Sequence, residues 1–156
     1  MCIGNPLNNP TKLRIFYEST KMRNRPILKR SDLVYPDLCY QIIGILFEIY
    51  RQLGSGYQEK YYQKILATEL RRCGLYYREQ VATPLIYKGN KIGNYFLDFV
   101  IDNKIVLELK KGDRFSQKHI EQVFAYLKAT DLKLGIIANF TRDGVRFKRI
   151  VNLRKS

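Results

Sequence analysis

Histidine is almost missing from this chain of 156 residues; His119 is its single representative. Catalysis or metal binding built on several imidazoles is thereby excluded. Cysteine is scarce too. Cys2, Cys39 and Cys73 are scattered, odd in number and form no C-x-x-C pair. That pattern argues against a structural zinc site or a disulfide framework and fits a reducing compartment. No G-x-x-x-x-G-K-[ST] loop occurs, so the chain shows no ATP-driven motor of its own. No apolar run approaches the roughly 20 residues of a membrane-spanning helix. Met1 to Pro10 lacks the apolar stretch of a secretory signal. A cytoplasmic protein without membrane association is the default expectation. With imidazole and thiolate this rare, a catalytic metal would have to be held by oxygen, which points to magnesium or manganese.

Acidic residues are outnumbered. Fourteen Asp and Glu face 28 Lys and Arg, giving a net charge of +14 and a pI near 9.8. Such a field attracts polyanions, and nucleic acid is the commonest of these in a cytoplasm. The plainer reading of the same charge is solubility, or contact with ribosomal RNA. The length suits one domain with a single core.

Residues 1–35 differ from the rest in holding Asn, Pro, Lys and Arg with little periodicity. They read either as a flexible nucleic-acid arm or as an upstream extension without a role. Residues 36–156 form the expected domain. Pro36 suits the first turn of a helix, and Leu38, Ile42, Ile45, Leu46, Ile49 and Leu53 recur at helical spacing. Gly54-Ser55-Gly56 breaks that helix, and a second runs from about Tyr57 to Cys73, with Tyr62, Ile65, Leu66 and Leu70 facing inward. Tyr76 to Tyr87, Ile92 to Ile101 and Ile105 to Lys110 read as an antiparallel meander, with turns at Gly89-Asn90 and Asp102-Asn103. Ser116 opens a third helix with Ile120, Val123, Phe124 and Leu127 as its apolar face. Leu134 to Phe140 reads as a buried strand and Val145 to Val151 as one more. The expected order is α-α-β-β-β-α-β-β, an α/β fold.

Chemistry concentrates at Ile105-Val106-Leu107-Glu108-Leu109-Lys110. Period two puts Glu108 and Lys110 on one face of the strand and Leu107 and Leu109 on the other. A tight hairpin brings Asp98 of the preceding strand level with Glu108. Two carboxylates among apolar strands are costly to desolvate unless something positive neutralises them. A divalent cation does so, and Lys110 on the same face could meet an attacking water or developing phosphate charge. The alternative is a solvated hairpin on which Lys110 merely pairs with an acid.

Asp98 followed by Glu108-Leu109-Lys110 resembles the signature of the PD-(D/E)XK nuclease superfamily. The core of that superfamily, a restriction-endonuclease-like α/β arrangement of a three-stranded antiparallel meander plus further strands flanked by helices, matches the order above. Gly56-Tyr57-Gln58-Glu59-Lys60-Tyr61-Tyr62 resembles the G-x-x-E-x-x-Y motif of its GxxExxY family. Ile86-Tyr87-Lys88-Gly89, Tyr126-Leu127-Lys128-Ala129-Thr130 and Phe147-Lys148-Arg149-Ile150 are similar to that family as well. The resemblance covers Tyr35 to Val151. Leu97 stands where the superfamily's name has proline, a position the metal chemistry does not need.

The resemblance implies a magnesium- or manganese-dependent nuclease that leaves 5′-phosphate and 3′-hydroxyl ends, with DNA ahead of RNA as substrate. It implies metal ligation by Asp98, Glu108, the Leu109 carbonyl and Glu59, with Lys110 stabilising the attacking hydroxide or the transition state. Glu59 shares a helical stripe with Tyr62, Leu66 and Leu70 and so points inward, although a carboxylate in a first helical turn can also serve only the helix dipole. On the third helix His119, Gln122 and Tyr126 form a polar stripe. Gln122 and Tyr126 resemble the Q-x-x-x-Y motif of RecB-like nucleases and would orient the phosphate; packing alone would also explain Tyr126. Arg114 and Lys118 flank this helix and could hold a nucleic-acid backbone, as could Lys88, Lys91, Arg142, Arg146, Lys148 and Arg149. The rival reading is a non-catalytic nucleic-acid-binding module within a larger assembly. A homodimer is compatible with either.

Overall fold

The computed structural model describes residues 34–153, so the basic extension expected over residues 1–35 lies almost wholly outside the described residues. Helices α1 (Pro36–Leu53) and α2 (Glu59–Arg72) are followed by strands β1 (Tyr77–Tyr87), β2 (Asn90–Ile101) and β3 (Ile105–Lys111). Helix α3 (Gln117–Thr130) and strands β4 (Leu134–Thr141) and β5 (Gly144–Val151) follow. The strands form one sheet in the order β1-β2-β3-β4-β5. β1, β2 and β3 make the expected antiparallel meander, β4 runs parallel to β3, and β5 is antiparallel to β4.

Local chemistry explains the punctuation. Pro36 opens α1, and Gly54, at φ 71, ends it. Lys88 and Gly89 both take positive φ between paired Tyr87 and Asn90, as do Asp102 and Asn103 between paired Ile101 and Ile105. The first is a two-residue loop of the kind whose twist suits a hairpin; the second has three residues, Asp102 to Lys104. The first turn therefore sits one residue earlier than the sequence suggests, because Asn90 already pairs.

Helices cover both faces of the sheet. Ile42, Leu46 and Ile49 of α1 and Leu66 and Leu70 of α2 pack on Phe99, Ile101, Leu107, Leu109, Ile136 and Phe140. Val123, Tyr126 and Leu127 of α3 pack on the opposite face against Leu97, Val100, Val106, Ile137 and Ile150. All eight residues of β4 are buried, as befits a strand covered on both sides. Two expectations change here. Phe124 is 37% exposed beside the Lys128 ammonium, and Tyr126 takes its place in the core, because the buried arc of α3 centres on Val123 and Leu127. Cys73 is disulfide-bonded, which its scattered spacing did not predict, whereas Cys39 is fully buried in the core.

At Gly135 the helix α3 lies close against the sheet. A Cβ there would meet Val123 Cγ1 at 2.5 Å and Leu127 Cδ1 at 3.4 Å. Gly135→Ala gains about 0.4–1 kcal/mol by restricting the unfolded chain but overpacks a stiff β-branched neighbour at a cost of about 1–3 kcal/mol. Net destabilisation is expected. Urea unfolding checks it, and adding Val123→Ala should return part of the loss if the clash is the cause.

Candidate active site

The ladder between β2 and β3 pairs Phe99 with Leu107, Val100 with Val106 and Ile101 with Ile105, and goes no further. Asp98 and Glu108 are the next residues in that register. Side chains there replace the backbone ladder. The Asp98 amide donates to Glu108 Oε2 at 3.0 Å, and the Leu109 amide donates to Asp98 Oδ2 at 2.8 Å. Each carboxylate thus caps the other strand, and the strands part beyond them. A strand residue's carbonyl points to the same side as its amide, so the Leu109 carbonyl faces the same gap.

Asp98 also breaks the alternation of β2. Leu97 packs under α3 and Phe99 packs under α1 and α2, although period two would put both on one face. Across from Asp98 on β1, Gln80 takes a positive φ of 48°. The break turns the Asp98 carboxylate towards α2, where Gln63 Nε2 donates to Oδ1 at 2.8 Å and Gln80 Nε2 at 3.5 Å. Glu108 stays on the α3 side, where Oε1 accepts from the Tyr95 hydroxyl at 2.5 Å and from Lys110 Nζ at 3.0 Å.

Lys110 Nζ also lies 3.4 Å from Glu59 Oε1. The position of Glu59 follows from the G-x-x-E-x-x-Y spacing. Gly56 turns the chain at φ 97 and Glu59 begins α2. One turn later the buried Tyr62 donates to the Gly54 carbonyl at 2.8 Å and stacks on Phe140 at 4.0 Å between ring centroids. The tyrosine fixes the first turn of α2 against the sheet, and the glutamate projects from that fixed turn.

Asp98 and Glu108 are 5% and 1% exposed. Burial first, then the charge of Glu108, lifts the Asp98 carboxyl to about 6, although the Leu109 amide and Lys110 oppose the rise. Burial also pushes the Tyr95 hydroxyl well above its ordinary range, helped by its hydrogen bond to Glu108 and that group's charge, so it remains a donor. For Lys110 burial acts to lower the pKa, but Glu108, Glu59 and Asp98 together reverse it and the ammonium is held above its usual value. His119 is lowered, first by burial and then by the Lys110 charge, which places the start of α3 within electrostatic reach of the acids.

Glu59, Asp98, Glu108 and Lys110 are therefore brought together. Glu59 meets Lys110 rather than the other acids, and among the described residues no three His, Cys, Asp or Glu side chains form a cage for an ion. Two converging carboxylates and a backbone carbonyl still make an oxygen donor set of the kind magnesium accepts while keeping several waters. Burial and the neighbouring Glu108 charge raise the Asp98 carboxyl even with the Lys110 ammonium close by. Gln122 is half-buried, and its Oε1 is buried with no hydrogen-bond partner. Tyr126 is packed into the core beside Leu97. Among the described residues no hydrogen bond joins Gln122 or Tyr126 to the acids. Arg114 and Lys118 are exposed.

Sequence reasoning missed Gln63, Gln80, Tyr95 and Asn139. Gln63 lies one turn beyond Glu59, so extending that stripe would have found it. Tyr95 carried no signal, because unbroken alternation puts it on the face opposite Asp98. Asn139 is fully buried and paired in register with Lys110. It donates to the Gly112 and Arg114 carbonyls at 3.0 and 2.9 Å and so pins the loop between β3 and α3.

A hairpin whose opposed carboxylates replace its own ladder, set in a five-stranded mixed sheet between helices, defines a restriction-endonuclease-like α/β class. Within that class the chain belongs to the PD-(D/E)XK nuclease superfamily, whose family profile matches residues 36–150. No curated protein matches the chain. Among solved structures, that of SSO0001 is similar at 16% identity with a TM-score of 0.45, over 94% of this chain and 63% of that one. This chain thus spans less than two thirds of the length of SSO0001.

Asp98 generates a test of the site's electrostatics. Its carboxyl titrates near 6 when folded, against an ordinary value of 3.8. Between these values the folded state binds the extra proton, so the stability it gives is complete below 3.8 and is lost as pH rises through 6. The loss should total roughly 3 kcal/mol in metal-free protein. Urea unfolding of wild type and Asp98→Asn between pH 4 and 7 checks it: the wild type should weaken relative to the variant as pH rises. Parallel curves would show that Asp98 is not under this stress.

Proposed function

We propose that the protein is a magnesium-dependent phosphodiesterase that cleaves nucleic acid, DNA ahead of RNA, and that within its superfamily it sits in the GxxExxY family. The observation that carries this reading is the buried Asp98–Glu108 pair, held level by crossed amide bonds. Stability alone would favour apolar residues at such positions.

In this reading Asp98, Glu108 and the Leu109 carbonyl, with Glu59 beside them, would hold the metal. A divalent cation would supply Lewis acidity and charge neutralisation at the scissile phosphate. Lys110, an ammonium held by Glu108 and Glu59, orients the attacking water and stabilises the charge that develops on phosphorus. Water oxygen bonds to phosphorus, the bond to the 3′-oxygen breaks, and that oxygen takes a proton. Gln122, whose Nε2 can donate to a phosphate oxygen while its unpartnered Oε1 accepts from a water, and Tyr126 would orient the phosphate group. Arg114 and Lys118 attract the flanking backbone.

Glu108→Gln should abolish cleavage of DNA in magnesium while leaving circular dichroism unchanged. Lys110→Ala should lower turnover by about 100-fold or more, with manganese affinity by calorimetry within a few-fold of wild type. Loss of manganese binding in the second variant would make Lys110 a structural partner of the acids. Wild type that binds DNA and RNA but cleaves neither with any divalent metal would favour the non-catalytic module.

A further inference from the structure

β1 and β2 are far longer than their support. They pair from Tyr77 with Ile101 to Tyr87 with Asn90, yet β3 meets β2 only from Phe99 to Ile101. Among the described residues the rest is a two-stranded ribbon without a third strand. Such a ribbon is marginally stable in water, and its surface here is unusual for one. Leu85, Ile86, Tyr87, Ile92 and Phe96 are all exposed, Ile92 at 61%. Ile92 is the extra residue of a bulge, because the register shifts between Leu85 with Gly93 and Ile86 with Lys91. Several exposed apolar side chains gathered on one ribbon mark an interaction surface.

Charge identifies the partner. No acid occurs between Glu79 and Asp98, while Lys88 and Lys91 stand at the tip, with Lys88 Nζ 5.4 Å from the centre of the Tyr87 ring. A second copy of a chain carrying +14 would bring like charges together. A polyanion is complementary, and apolar wedges beside lysines are the equipment with which proteins press on bases while holding phosphates. The ribbon is continuous with the strand that bears Asp98, and its Tyr95 hydroxyl holds Glu108. From Asp98 to the tip is eight residues of strand, roughly 25 Å at about 3.3 Å per residue, or about seven base steps. The major groove of B-form DNA admits a two-stranded ribbon, whereas that of A-form RNA is too deep and narrow for side chains to read.

We propose that the β1–β2 ribbon is a DNA-engaging arm that lies in the groove of duplex substrate, its apolar tip (Ile86, Tyr87, Ile92) against base edges about seven base pairs from the cleaved bond. This rests on the nuclease reading and narrows its substrate to duplex DNA.

The test uses the full chain with Glu108→Gln to preserve substrate, with and without Ile86→Ser, Tyr87→Ser and Ile92→Ser together. Lys88 and Lys91 are retained and folding is checked by melting. Affinity for 25-base-pair DNA should fall at least about 10-fold, while affinity for a single strand of equal length changes less than about 2-fold. With the tip intact, affinity should rise steeply once the duplex is long enough to reach it; without the tip, that rise should vanish. Equal loss on both substrates, or no loss, overturns the arm, as does a dimer in sedimentation that the triple substitution dissociates. Tip-dependent duplex binding by a wild type that cleaves nothing would retain the arm and remove the nuclease reading. Cleavage without tip dependence would do the reverse.

Discussion

The crossed bonds from the Asp98 amide to Glu108 and from the Leu109 amide to Asp98 are the constraint on which the rest depends. A backbone ladder would satisfy the same amides more cheaply and would leave the carboxylates free to reach solvent. With side chains in its place, two acids are fixed level with each other between hydrophobic layers, and the strands must separate just beyond. The parting of β2 from β3 creates the site and at the same point releases the long ribbon from the sheet. One local exchange of acceptors therefore sets both the electrostatics of the centre and the shape of the molecule around it.

The supporting structure reads as devices that hold this point from both faces of the sheet. From one face, Tyr62 ties α2 to the Gly54 carbonyl and to Phe140, which lets Glu59 and Gln63 meet Lys110 and Asp98 from a fixed turn. On the other, the loop from β3 to α3 is held by two bonds from Asn139. The guanidinium of Arg146 adds a contact to the Asp113 carbonyl, and Lys148 lies over the Phe115 ring. The basic residues crowding the C-terminal strands are thus partly structural, a role that the charge pattern alone does not distinguish from nucleic-acid contact.

Element order was legible in the sequence because it depends on periodicity. The α1 stripe and the all-apolar β4 announce their burial, and the Asp102-Asn103 turn fixes the hairpin register and hence the level of Asp98 with Glu108. What escaped is what periodicity assumes away. Tyr95 reaches Glu108 only because β2 changes phase at Asp98, and Gln80 reaches Asp98 from a backbone conformation that no strand propensity predicts. Phe124 and Tyr126 exchanged places because hydrophobicity ranks phenylalanine above tyrosine, whereas the geometry of α3 over Gly135 favours the other position. Membership of the superfamily was legible in Asp98, Glu108 and Lys110. The gap between Glu59 and the other acids was not, since it depends on where the Lys110 ammonium lies.

The two outer strands of the sheet also bear on self-association. β1 carries Pro84, which offers no amide, a register shift after Leu85, and the left-handed Gln80. β5 carries Arg146, Lys148 and Arg149. Proline, irregular twist and crowded cations are the features that stop one sheet from extending into another. The strand edges are therefore poor templates for cross-β growth, even though a long apolar hairpin stands beside them. In the ribbon, stickiness lies in the side chains and is kept off the backbone, where it would propagate.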